Sequence, residues 1–359
     1  MQDWADSEMS NLVKLKIDTF QFQASSTMTA SFFLLVPASQ FGLTRLTMVT
    51  QSTPPTELYR ALQITADTII RTASIYQGLT ARAVNHEAYR YQRTFRGCFG
   101  VAPHLAAELW NMLDDEDPLS DIRWVTYFLA TLMFLRTYTV TAVLAMIFMK
   151  DEKTIRHWVW VFIEKIASLD LIRWEYRRMN DNGSRCLVTV DGTDFRIREP
   201  GPFSTGWFTK KFNGPGLRYE IGVCIQTGWI VWINGPFPCG EWVDIAISLS
   251  SLVHMFEGDE RAVADKGYRG YPQYFDCPWR HLDNQQQTSR KALARARHEC
   301  VNRRLKEWSC LLQRWRHSLD KHGKMAHAVA NIVQLQIMER PMWQVEYYDR
   351  VNNEFDFDY

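Results

Sequence analysis

The stretch CLVTVDGTDF, residues 186–195, is where the chain changes character. Ahead of it, apolar residues recur at helical intervals. From Cys186 to Val190 they run together and are β-branched, which predicts a strand. The Asp191-Gly192 pair then reads as a turn, leaving the carboxylate exposed at the strand end. Further on, LRYEIGVCIQ (217–226) and WIVWIN (229–234), joined by Thr227-Gly228, read as a β-hairpin. Ile245–Phe256 has helical spacing, and Arg261–Ala264 reads as a short buried strand that delivers Asp265. Residues 278–289 are polar and loop-like, and Ser289–Ser318 and His322–Met338 read as helical.

Three strands, a helix, another strand and then helices make a mixed α/β layout. It is the order of a ribonuclease-H-like sheet flanked by helices. In that order the first strand and the strand after the helix lie side by side. Asp191 and Asp265 then become neighbours across 74 residues (265 − 191). The turn cluster Asn180–Ser184 marks a boundary. It separates a helical region, 91–180, from the α/β core, 181–346, with an acidic tail at 347–359.

In the helical region, Leu105–Leu113, Arg123–Leu135, Val140–Met149 and Thr154–Leu169 carry apolar residues at helical spacing. The last two, around a tight connection at Lys150-Asp151, suit either a helix-turn-helix or a structural bundle. Val125–Met149 approaches the length of a membrane span, but Arg136, Thr137, Tyr138, Thr139 and Thr141 interrupt it. Two buried helices are expected there instead. Residues 1–90 are poorly defined: an apolar run, Phe32–Pro37, a turn at Pro54-Pro55, and helical spacing over 57–75. Acidic Asp3, Asp6 and Glu8 stand where a secretory leader would be basic.

With 46% hydrophobic and 23% charged residues, the composition is that of a globular protein, and the formal net charge is only +1. Seven scattered cysteines without a C-x-x-C pair argue against a zinc site or a disulfide framework. The charge is uneven. From Arg290 to Lys324 eleven Lys/Arg face three Asp/Glu, a stripe suited to a phosphate backbone or to a solvated helix face.

Within that stripe lies Glu299, 34 positions after Asp265 (299 − 265). Taken singly, Asp191 and Asp265 are turn formers, and Glu299 could pair with Arg295, Arg303 or Lys306 along a helix. Taken together, three hard oxygen ligands on separate elements suit Mg²⁺ or Mn²⁺. Two such ions at a phosphodiester activate the attacking oxygen and stabilise the leaving one. Asp194 is the rival to Asp191, and Asp244 a fourth candidate at a helix N-terminus. Lys210, Lys211, Arg218, Lys266, Arg269, Arg303 and Lys306 are candidate phosphate contacts. Trp207, Phe212, Tyr219 and Tyr268 are candidates for base stacking or core packing. No metalloprotease histidine spacing, Ser/His/Asp order or P-loop is present.

The ordered set DGTDF, GPGLRYEIGVCIQTGWIVWINGPFPCG, ADKGYRG and RARHECVNRRLKEW, followed by RWRH and KH, resembles the DDE-superfamily endonucleases. These are transposases of the PIF/Harbinger type and their bacterial insertion-sequence relatives. The similarity covers roughly residues 92–346, up to PMWQVEY. It implies a two-metal ribonuclease-H-like core in which Asp191, Asp265 and Glu299 match the family's two aspartates and glutamate. The implied partners are DNA, as element ends and target, a second copy of the chain on DNA, and an accessory DNA-binding protein. No membrane is implied. The implied location is the nucleus of a eukaryote or the cytoplasm of a bacterium. A general nuclease, or a catalytically silent, domesticated DNA-binding protein, would carry similar motifs.

Overall fold

In the computed structural model the first strand, β1, spans Cys186–Arg196 and does not stop at the Asp191-Gly192 pair. The expected turn is absent because β1 pairs antiparallel with β3 (Gly214–Cys224), from Val188 opposite Cys224 to Arg196 opposite Gly216. So long a ladder outweighs the weak strand propensity of one Asp and one Gly. Gly192 serves a different purpose. A β-carbon there would overlap the carboxylate of Asp244, so the bare backbone is what lets that residue approach.

The structure describes residues 64–76, 89–116, 123–179, 183–202, 204–278, 283, 285–343 and 345, within one unit, Tyr59–Tyr359. The expectations for Phe32–Pro37, Pro54-Pro55 and the tail 347–359 lie outside these residues. Among the described residues six α-helices precede the sheet: α1 (Ala66–Tyr76), α2 (Tyr89–Phe99), α3 (Pro103–Glu116), α4 (Arg123–Thr137), α5 (Thr141–Phe148) and α6 (Glu152–Ala167). The apolar run Val125–Met149 divides at residues 138–140, as its polar interruption requires. No helix among the described residues is long and apolar enough to cross a membrane.

The Asp151 carboxylate caps α6, accepting the Thr154 N–H at 3.1 Å. Ile155, Val159, Phe162, Ile163 and Ile166 recur at helical spacing and are buried. They face α4 and the last helix, α10 (Asp320–Glu339). The apolar face of α6 is therefore bundle core, while Lys153, Arg156 and His157 stay exposed.

The sheet is mixed. The two-residue β2 (Phe208–Thr209) and β4 (Ile230–Pro238) both pair antiparallel with β3. Beyond β1, β5 (Arg261–Val263) and β6 (Phe275–Asp276) run parallel to it, giving the order β2–β3–β1–β5–β6 with β4 beside the rest of β3. α7 (Asp244–Ser250) is shorter than its spacing suggested and continues as a 3-10 turn, Leu252–Met255. The long helix α8 spans Gln285–Lys306, starting inside the segment read as loop. It ends twelve residues short of Ser318 (318 − 306), and α9 (Ser309–Leu312) follows separately. The helix cannot continue because Trp315 joins the sheet, its N–H donating to the Arg196 carbonyl at 2.9 Å.

α8 packs on β1, β3 and β5. Its buried face, Lys291, Ala294, Arg297, His298, Val301, Asn302 and Leu305, has helical period but carries two cations, Lys291 and Arg297. Lys291 Nζ reaches Asp276 at 2.7 Å and Asp283 at 2.8 Å, and Arg297 donates to the Gln226 carbonyl at 2.9 Å. Part of the basic stripe thus points inward and holds the helix to the sheet, contrary to its reading as a phosphate track. One apolar core runs from Ile69, Phe95 and Trp110 through Phe195 and Tyr219 to Trp308 and Val329, joining the helical region to one sheet face. A second, with Val190, Leu252, Tyr268 and Phe275, covers the face under α7.

Candidate functional site

The parallel ladder places Thr189 of β1 beside Val263 of β5. Asp191 and Asp265 each stand two residues beyond that pair (191 − 189 and 265 − 263). Adjacent strands lie about 4.8 Å apart, so the two positions are neighbours at the end of the shared ladder. Asp265 caps the 3-10 turn Lys266–Tyr268, its Oδ1 accepting the Gly267 N–H at 2.7 Å. The turn-forming role is therefore real, and the same geometry presents the rest of the carboxylate at the strand end. Asp191 Oδ1 accepts the Gly192 N–H at 2.8 Å. Glu299 is exposed on α8, next to His298, whose ring is buried. Packing of α8 on β1 and β5 holds this turn of the helix against the sheet.

Burial raises the Asp191 carboxyl above its ordinary range; Lys211 and the Gly192 N–H oppose the rise, and the charges of Asp265 and Glu299 add to it. The three acids thus share one electrostatic neighbourhood. Among the described residues, the ion pairs of this region go instead to Asp194, Asp244, Asp276 and Asp283. As placed, no three carboxylate, histidine or cysteine side chains among the described residues stand close enough to hold a metal ion. The donor chemistry nonetheless suits a hard divalent cation: carboxylate oxygens from the middle of β1, the turn after β5 and a helix, with no Lys or Arg ion pair to any of the three among the described residues, although Lys211 acts on Asp191.

Asp194 is spoken for. Arg218 holds it with two hydrogen bonds, Nε at 2.8 Å and Nη2 at 2.9 Å, and the Thr209 hydroxyl donates at 2.7 Å. Burial pushes its carboxyl up, but Arg218, Lys211 and Thr209 outweigh that and leave it below the ordinary range. Asp244 lies against Gly192, with Oδ1 at 3.1 Å from Arg218 Nε but without hydrogen-bond geometry. Burial raises its carboxyl, Arg218 and Lys211 oppose, and Asp191 and Asp194 add to the rise. Beneath them Glu220 is 1% exposed and accepts from Trp232 Nε1 at 2.8 Å and from the Ser248 hydroxyl. Burial pushes it up to about 7.

The candidate phosphate contacts separate into two groups. Lys210, Lys266 and Arg303 are exposed. Lys211 is exposed too, but its Nζ donates to the Gly192 carbonyl at 2.8 Å, at the rim of the acidic group. Lys306 is half-buried, and burial together with Lys211 lowers its ammonium, against the pull of Asp194, Glu299 and Asp191. Arg269 is half-buried and donates to the Pro278 carbonyl. Arg218 is withdrawn altogether, since it is 8% exposed and committed to Asp194. Tyr219 and Tyr268 are core residues, 0% and 1% exposed, whereas Trp207 and Phe212 are half-buried.

Sequence reading missed the Asp194–Arg218 clamp and the buried Glu220. A signal existed: Arg218 and Glu220 alternate in an otherwise apolar strand, so both point to one face, where charges need partners. Compared with protein-family models, with curated proteins and with solved structures, the chain matches none.

Proposed function

We propose that this chain is a metal-dependent DNA endonuclease/transposase of the DDE type, built on a ribonuclease-H-like core. In this reading Asp191, Asp265 and Glu299 hold two divalent ions, Mg²⁺ or Mn²⁺. The single observation that carries the reading is the parallel register that sets Asp191 beside Asp265, with the Glu299 helix packed on both strands and no cation paired to any of the three among the described residues. The first strand and the strand after α7 lying side by side is also what a ribonuclease-H-like core requires.

The ions, when bound, lower the pKa of the attacking water and neutralise charge on the departing 3′-oxygen. The protein's part is to orient. In this reading β1 and β5 carry the two aspartates, α8, packed on both strands, carries Glu299, and Asp194, withdrawn by Arg218, leaves Asp191 as the acid of β1 that faces the substrate. Lys211, Lys306 and Arg303 line the approach for phosphates, with DNA as the partner and a second copy of the chain engaged on it.

A nicking assay with Mg²⁺ or Mn²⁺, on DNA carrying the repeats that flank the gene, tests this directly. Asp191→Asn and Asp265→Asn should each lower nicking by about 10³-fold, roughly 4 kcal/mol of barrier, and leave DNA binding near wild type. Full activity in either variant removes that residue from the site. The spread of the three carboxylates favours one alternative, a domesticated, catalytically silent DNA-binding protein. That alternative predicts metal-independent binding with no cleavage in any of these conditions.

A further inference from the structure

β1 leads away from the acidic group toward a second cluster of charges. At its far end Ile197 bridges to Trp315, and the Arg198 N–H donates to the Trp315 carbonyl at 3.1 Å, which fixes Arg198 beside the segment 314–317. Arg316 lies over the Tyr138 ring at 4.1 Å, and Arg198 and Arg316 both act on the Tyr138 hydroxyl. Lys321 Nζ sits 4.5 Å from the centre of the Trp160 ring, on α6. Between these lies His317, its ring 5.4 Å from Trp160 and 5.7 Å from Tyr138. Burial lowers the His317 imidazole to about 4, and Arg316, Lys321 and Arg156 push the same way, so the ring is neutral near pH 7.

Four cations, on α6, in the segment after β1, in the segment before α10 and on α10, therefore converge on a floor of Tyr138, Trp160 and His317. Two carboxylates accompany them: Glu152, which pairs with Arg156, and Asp320, which acts on Lys321 while accepting the Ser318 hydroxyl. Over these six groups a surplus of two positive charges remains, assembled by tertiary structure from three stretches of the chain, at 156, 198 and 316–321. Such a surplus over aromatic surface suits a polyanion. Its distance from the acidic group says which one. Asp191 and Arg198 are seven residues apart (198 − 191). Extended chain covers about 23 Å over that length, within one turn of B-DNA at about 34–36 Å.

We propose that this patch is a second anchoring surface, binding backbone phosphates of duplex DNA within one helical turn of the bond presented to the acidic group. The proposal rests on the nuclease reading above for its partner, but its binding energy does not depend on metal or on Asp191, Asp265 and Glu299. Lys211 and Lys306 stand near the acidic end of this path, so one duplex can contact both surfaces.

The test is fluorescence-anisotropy binding of the full chain to a duplex of about three helical turns, in EDTA, over a series of salt concentrations. The triple variant Arg156→Gln/Arg198→Gln/Lys321→Gln should bind about 10-fold more weakly, with the slope of log K against log salt reduced by about 2–3. The control variant Arg173→Gln/Arg185→Gln, in which exposed arginines paired to Asp170 and Asp259 are lost, should bind as wild type does. Wild-type affinity and slope in the triple variant would overturn the proposal. So would tight binding of the wild type to phosphatidylserine vesicles that a duplex cannot displace. If the triple variant fails to melt cooperatively, Arg198→Gln alone decides: a slope reduced by about 1 supports the patch, and an unchanged slope refutes it. Because these measurements need no metal, they separate from the nicking assay, whose failure would count against the catalytic reading alone.

Discussion

Asp191 and Asp194 stand three residues apart on one strand, and the fold treats them in opposite ways. Asp194 is 5% exposed and receives two hydrogen bonds from Arg218 and one from Thr209. Asp191 is half-buried, accepts its neighbour's N–H and no cation's hydrogen bond among the described residues, and feels Asp265 and Glu299 against the more distant pull of Lys211. The first arrangement stabilises a charge inside the protein. The second leaves a charge under-compensated where other acids gather, and such local cost is typical of sites kept for binding or chemistry. The difference teaches that an acidic residue's role here follows from which cation the fold brings to it.

The comparison breaks most visibly at Asp194. Asp194→Ala strands a buried guanidinium and should cost about 3–5 kcal/mol by urea denaturation. Adding Arg218→Met should recover part of that loss, since the buried guanidinium is then gone, while half-buried Asp244 gives up its contact with Arg218. A cost for Asp194→Ala below about 1 kcal/mol would place Asp194 with the uncompensated acids.

Glu220 sharpens the contrast through pH. Its folded value, about 7, lies above the ordinary 4.5 because burial disfavours the carboxylate. A raised acid contributes stability that is fully present below its unfolded value and is lost as pH rises through the folded one. Wild type should therefore lose on the order of 1–3 kcal/mol between pH 4.5 and pH 8, and Glu220→Gln should flatten that loss. Parallel stability–pH curves for the two proteins would refute the assignment. The smallest effect falls on Asp191. In metal-free buffer near pH 7, Asp191→Asn should raise stability by about 1 kcal/mol, or roughly 2–4 °C in melting temperature, by removing a repelled charge. A destabilised variant would show that Asp191 is compensated after all.

Much of the architecture could be read from the chain. β-branched runs announced β1, β3, β4 and β5, the Thr227-Gly228 turn announced the hairpin, and apolar spacing announced α3, α4, α6 and α10. The errors fell where local preference was overruled. Gly192 looked like the end of a strand and is its middle, because β3 pairs straight past it. β2 and β6 are two residues each, too short for any period to appear. The start of α8 was hidden in a polar segment, and its buried face was disguised by Lys291 and Arg297, whose long stems pack while their charged ends reach partners. Of the candidate acids, residue type and spacing singled out Asp191, Asp265, Glu299 and their rival Asp194, but not which of them the fold pairs with a cation.

The residue order by itself determined which segments extend, which coil into helices, and that acids occur at the end of the β5 run and in a basic helix, because those follow from side-chain period and turn chemistry within a few residues. Only tertiary structure decided which acid is neutralised and which is left exposed to its like. Arg218 reaches Asp194 from 24 residues away (218 − 194), and Asp265 reaches the Asp191 neighbourhood from 74 (265 − 191). Coulomb energy depends on separation in space and on burial, and neither is written in separation along the chain.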